Sequence, residues 1–218
     1  MQSVRTEDVT IDIDRVRLQG QLAVPAASRG VVVFAHGSGS GRHSPRNRFV
    51  AWRLQEAGLA TLLIDLLIES EAQDRENVFD IPLLADRVVG AARWLAANPP
   101  TAGLPVGAFG ASTGGGAALV AAAACPDVIG CVVSRGGRPD LAEQALPAVR
   151  CPTLLIVGGE DTEVLALNQA AQDRMTADCE LAVVPGATHL FEEPGTLEQV
   201  ADLAADWFTS KLTSREEG

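Results

Sequence analysis

Tyrosine is absent from this chain, and so is any Gly-Lys dipeptide. Without Gly-Lys there is no Walker loop, which needs GxxxxGK followed by Ser or Thr. Cysteine is scarce: Cys125, Cys131, Cys151 and Cys179 form no CxxC pair and do not cluster with histidine, which argues against metal ligation. Their apolar neighbours, "IGCVVS" and "RCPTLLIV" among them, lead us to expect four buried, reduced thiols and a cytoplasmic setting. Basic residues are few, 17 against 28 acidic ones, so the net charge is −11. That balance excludes the concentrated basic surface needed for nucleic acid or an anionic membrane. No window approaches the ~20 apolar residues of a membrane span. The opening "MQSVRTEDVT" lacks the apolar core of a signal peptide.

What is present is a regular alternation of short apolar runs with helical patterns. Val9, Ile11 and Ile13, then Val16, Leu18, Leu22 and Val24, alternate with period two, as in an antiparallel pair with one wet face. Later runs, "VVVFAHG", "ATLLIDLL", "VGAFG", "VIGCVVS", "TLLIVGG" and "LAVVPG", are continuously apolar, as expected of strands covered on both faces. Helical periodicity separates several of them. "SPRNRFVAWRLQEAG" starts on a serine and Pro45, and "IPLLADRVVGAARWLAANPP" stops at its prolines. "TLEQVADLAADWF" opens with the capping-box pattern Thr196 to Gln199. The pattern predicts a single α/β domain over residues 1–218 with a doubly wound, mostly parallel eight-stranded sheet, its first two strands forming an antiparallel edge. Only a tail from about 213 is expected to be disordered.

Ligands of such sheets sit beyond the carboxyl ends of the strands. One stretch there, "PVGAFGASTGGGAAL" at 105–119, has two readings. Gly110, Gly114 and Gly116 match the GxxxGxG spacing of a dehydrogenase cofactor loop. That loop belongs near a chain's start and needs a Tyr-x-x-x-Lys pair, and both conditions fail. The loop "HGSGSGRHS" misses GxGxxG because Arg42 stands at the third glycine. Read instead as Gly110-Ala111-Ser112-Thr113-Gly114, the stretch is G-x-S-x-G, a strand-to-helix turn that exposes one hydroxyl.

A serine nucleophile needs a base, and the base an orienting acid. The chain has three histidines, His36, His43 and His189. His189 follows the last apolar run in "PGATHLF", and Asp161 follows "TLLIVGG". Ser112, Asp161 and His189 therefore stand in the order Ser…Asp…His, each just past a strand. Glu160 is the alternative acid; the Gly158-x-x-Asp161 spacing favours Asp161. His36 reads as structural.

The motifs "FAHGSGSG", "GASTGG", "GGEDTEV" and "GATHLF" resemble those of the α/β-hydrolases, and among them the small dienelactone-hydrolase-like proteins. The resemblance runs from Val9 to Trp207. It implies the α/β-hydrolase fold with helices on both faces, no metal or cofactor, and hydrolysis of a small ester or lactone. It also implies an oxyanion hole from the backbone N–H groups of Ser38 and Thr113. Dienelactone hydrolases proper have a cysteine nucleophile; with Ser112 in its place, fold and acyl-transfer chemistry carry over and the dienelactone substrate does not. Only "RGGRPDLAEQALPAVR" separates the sixth and seventh strands, room for one short helix and no cap domain, so loops such as 66–80 would cover the site. Arg42, Arg46, Arg135 and Arg138 recur at its rim. They suit an anionic group on the substrate, or pairing with Glu69, Glu71, Asp74 or Asp140. The competing reading is a non-catalytic ligand- or partner-binding protein of the same fold.

Overall fold

The computed structural model describes residues 3–212; the tail expected from 213 lies outside them. Eight strands form one sheet: β1 (Val4–Ile13), β2 (Val16–Pro25), β3 (Val31–Ala35), β4 (Ala60–Ile64), β5 (Val106–Ala111), β6 (Ile129–Arg135), β7 (Thr153–Gly158) and β8 (Cys179–Val184). Their order across the sheet is β1-β2-β4-β3-β5-β6-β7-β8. β1 and β2 pair antiparallel, with Ile11 opposite Leu18, and β2 meets β4 antiparallel. From β4 to β8 every pairing is parallel.

Helices cover both faces. α1 (Pro45–Glu56) and α7 (Thr196–Lys211) pack on one, α4 (Ile81–Ala97) and α5 (Thr113–Ala124) on the other, and α6 (Thr162–Gln172) follows β7. The inner strands are apolar throughout because each feeds two cores. Val31, Val33 and Ala35 of β3 face α4 and α5, while Val32 and Phe34 face α1 and α7. Ser44 caps α1 by accepting the Asn47 N–H at 3.4 Å, with Pro45 at the first helical position.

Several details depart from expectation. The segment between β6 and β7 folds as two 3-10 turns, Pro139–Ala142 and Leu146–Ala148, in place of one helix. Pro139 and Pro147 near the start of each turn, with chain reversal over so few residues, leave no length for an α-helix. Among the described residues nothing longer than these turns stands between β6 and β7. Residues 66–80 contain two short helices, α2 (Glu69–Ala72) and α3 (Arg75–Phe79). The capping box at Thr196 does not form: Gly195 is the cap residue, and the Thr196 hydroxyl donates backward to Glu193 O at 2.7 Å. Cys125, Cys131 and Cys151 are buried, but Cys179 is only half-buried because β8 is an edge strand.

Candidate active site

The turn between β5 and α5 is set by sterics before any chemistry. Ser112 has φ 52° and ψ −121°, a conformation a side chain adopts only under constraint, at about 1–3 kcal/mol. Hydrogen bonds hold it there: Ser112 N–H donates to Arg135 O at 3.2 Å, and Ser112 O accepts from Gly115 N–H at 2.9 Å and Arg138 N–H at 3.1 Å. The flanking glycines are dictated by close approach. A Cβ on Gly110 would collide with Gly114 O, and a Cβ on Gly114 with Ala35 O and His36 O. α5 thus starts almost in contact with the end of β3.

The other two groups arrive from the ends of β7 and β8. Asp161 precedes the first residue of α6. A Cβ on Gly158 would strike Ala187 O, so the end of β7 lies against the loop that carries His189. His189 Nδ1–H donates to Asp161 Oδ2 at 2.6 Å, and Nε2 on the far side of the ring faces Ser112 Oγ at 3.3 Å. Glu160 is exposed and its backbone N–H donates to Ala187 O at 3.0 Å; Asp161 is the residue that meets the imidazole. The structure thus brings Ser112, His189 and Asp161 into one hydrogen-bonded chain across three strand ends.

The model of the dienelactone hydrolase family matches residues 18–212. This chain belongs to that family. A crystal structure of dienelactone hydrolase from Anabaena variabilis is 55% identical, superposes with a TM-score of 0.94, and is covered to 99% by 96% of this chain. Est1E from Butyrivibrio proteoclasticus shares the fold at 17% identity, with a TM-score of 0.80 over 94% of this chain and 98% of that one. A protein of Mycobacterium tuberculosis bearing the provisional name of a phosphoribosyl transferase is 61% identical over 209 residues, 96% of this chain. That match takes in 47% of the mycobacterial protein, so the chain spans about half the length of the curated relatives it matches.

The loop after β3 lies against the candidate nucleophile, since a Cβ on Gly37 would sit 3.1 Å from Ser112 Cβ. Ser38 N–H, expected to face an oxyanion, donates to Thr113 Oγ1 at 2.9 Å in this structure. Thr113 is the first residue of α5, where a backbone N–H has no acceptor within the helix. His36 is a brace. Its Nδ1–H donates to Gly37 O at 3.0 Å and its Nε2 accepts Leu66 N–H at 3.0 Å, which ties the ends of β3 and β4 together. Burial holds its pKa below the usual histidine value, in spite of Gly37 and Asp65.

Beside this loop lies a cavity of about 520 Å³. Its walls are Gly37–Ser40 on one side and Leu67, Ile68, Val78 and Leu84 on another, with Arg42 and Asp65 among its polar lining. The 66–80 segment is latched to α4 through Glu71, which accepts Arg87 Nη2 at 3.0 Å and Ile68 N–H at 3.1 Å. Sequence reasoning offered Glu71 to a rim arginine and so missed this latch: Glu71 meets Arg87, 16 residues away, while the rim arginines find Asp65, Glu192 and Asp140. It also passed over Glu193, which steadies the His189 loop by accepting Thr188 N–H at 3.1 Å and Thr188 Oγ1–H at 2.6 Å. Those bonds hold the exposed Glu193 carboxyl below its ordinary pKa.

The four arginines separate. Arg42 pairs with Asp65, Arg46 with Glu192 at 3.2 Å, and Arg138 with Asp140 through two bonds of 2.8 and 2.7 Å. Among the described residues Arg135 meets no carboxylate. Among the described residues there is no cluster able to hold a metal ion and no helix long and apolar enough to cross a membrane.

Proposed function

We propose that this chain hydrolyses small carboxylic esters or lactones through an acyl-enzyme on Ser112. The observation that carries this reading is the hydrogen-bonded chain Ser112–His189–Asp161, in which Nε2 of the imidazole is the atom facing the hydroxyl. As Ser112 Oγ attacks the carbonyl carbon, His189 Nε2 takes its proton, and Asp161 holds the tautomer and stabilises the imidazolium. His189 then gives that proton to the departing alkoxide. Water attacks the acyl carbon in the second half, deprotonated by the same nitrogen, and Ser112 leaves with the proton returned.

The developing oxyanion is met by the Thr113 N–H at the N-terminus of α5, where the helix dipole adds to the bond. Ser38 N–H joins it by exchanging the neutral Thr113 Oγ1 acceptor for a charged one, a stronger bond. Each such donor contributes about 2.7–4 kcal/mol. The acyl or alcohol part of the substrate occupies the cavity against Leu67, Ile68 and Val78. The transferase name of the mycobacterial relatives we attribute to their unmatched half, so that hydrolysis belongs to the half this chain represents.

Fluorophosphonate labelling with peptide mapping, alongside turnover of p-nitrophenyl acetate, tests the reading. Wild type is expected to carry one adduct, on Ser112. Ser112→Ala and His189→Ala should lose turnover by at least about 10³-fold while remaining folded. A well-folded wild type that neither labels nor turns over any member of an ester and lactone panel refutes it.

A further inference from the structure

Arg135 ends β6 and is only 7% exposed. Its place in the strand alternation puts it on the face of Cys131 and Val133, toward α1 and α7. There its guanidinium lies 6.0 Å from the centroid of the Phe191 ring, and Nε and Nη1 are buried without any acceptor. Arg46, from the first turn of α1, is close enough for the two positive charges to repel, and its own Nε is also buried without an acceptor. Burial first, then Arg46, push Arg135 down to about 10, still well above neutral pH, so the charge persists.

Burying an unpaired guanidinium costs several kcal/mol, and proteins tolerate it where a partner arrives. None of the carboxylates of the neighbourhood reaches Arg135. Glu192 makes a single bond to Arg46 and is itself mostly exposed, Glu193 serves Thr188, and Asp161 serves His189. Arg42 and Arg138 already have their acids. An open cleft of about 480 Å³, lined by Arg46, Phe191, Pro194 and Leu197, adjoins this corner on the Arg46 and Phe191 side. Glu192, Glu193 and Glu198 on the same cleft disfavour an extended polyanion and leave the site to one compact group.

We propose that Arg135 and Arg46 form an anion site at the foot of the His189 loop, taking a single carboxylate or phosphate group. The anion accepts the orphaned N–H groups of both arginines and neutralises their mutual repulsion. Because Phe191 stacks against Arg135 and stands two residues after His189, occupancy steadies the loop that presents the imidazole. Phe191 holds φ 54°, so this loop has little intrinsic preference for its shape. The anion is either a free ion or a charged group on the substrate; the second case rests on the hydrolase reading, the first does not.

The test is thermal unfolding of the full chain with inorganic phosphate or acetate titrated at constant ionic strength, for wild type, Arg135→Met and Arg46→Ala. Wild type should gain roughly 3–6 °C once the anion exceeds its dissociation constant about tenfold. Both variants should lose that gain, and Arg135→Met should melt above wild type in anion-free buffer, since an unpaired buried charge has been removed. A residue needed only for packing would lower it. If Arg135→Met fails to fold, Arg46→Ala, at a partly exposed position, decides the question. No anion-dependent shift in wild type, or the same shift in the variants, overturns the proposal. Kinetics then separate the sources. A KM rise for a hemisuccinate ester in Arg135→Met that exceeds the rise for its neutral analogue by roughly tenfold or more identifies the anion as part of the substrate. Equal stimulation of both esters by phosphate identifies a free ion. Ester turnover plays no part in the unfolding measurement, so the site and the hydrolase reading stand or fall separately.

Discussion

Gly114→Ala sets two principles against each other. Gly114 lies in the first turn of α5, where alanine is favoured over glycine by about 1 kcal/mol, so propensity predicts a stabler protein. The packing predicts the reverse. A Cβ at Gly114 would stand 2.6 Å from His36 O and nearer still to Ala35 O, whereas real Cβ atoms keep beyond 3.0 Å. Both obstacles are backbone at the end of β3, in the centre of the sheet, and neither can rotate away. α5 and β3 must part by at least about 0.4 Å for the first contact and more for the second. Overpacking of this kind costs about 1–3 kcal/mol, which outweighs the helix term, and the expected net loss is about 1–2 kcal/mol. For a chain of this size that lowers Tm by roughly 2–8 °C. The shift also moves Ser112 and the Thr113 N–H relative to His189, and misplacement of about 1 Å costs about 10²-fold, so kcat/KM should fall by one to two orders of magnitude. Thermal unfolding and p-nitrophenyl acetate kinetics measure both. Gly130→Ala is the control, its Cβ meeting only Val106 O at an ordinary 3.8 Å. If Gly114→Ala melts at or above wild type with full activity, the close crossing of helix and strand is not what requires glycine there.

Two further outcomes follow from the site. Asp161→Asn keeps the shape but can present an N–H to His189 Nδ1, which favours the tautomer whose Nε2 carries the proton; kcat should drop about 10⁴-fold with Tm little changed, and an active Asp161→Asn enzyme would point to another acid. His36 predicts a pH dependence of stability. Its folded pKa is depressed, so between that value and the unfolded ~6.5 the unfolded chain binds more protons, and stability is full above about pH 6.5 and lost as pH falls. The slope contributed is at most one proton, about 1.4 kcal/mol per pH unit. Urea midpoints between pH 7.5 and 5.5 should fall less steeply for His36→Gln, and identical slopes would dismiss the brace as a titrating group.

Much of this molecule is legible in the chain because the information is local. The continuous apolar runs identify buried strands, since a strand covered on both faces has no wet side to alternate with. The sequence by itself determined the elbow at Ser112, because only glycine at 110 and 114 permits a turn that tight. It determined as well the order in which Ser112, Asp161 and His189 follow their strands. Tertiary structure decided what depends on distant partners. Arg46 meets Glu192 across 146 positions and Ser38 N–H finds Thr113 Oγ1 across 75, and no periodicity encodes such pairings. Four arginines at the rim look alike as letters. Folding gave three of them carboxylates and left the fourth, Arg135, charged and buried against Phe191, because strand alternation turned it inward where no acid could follow.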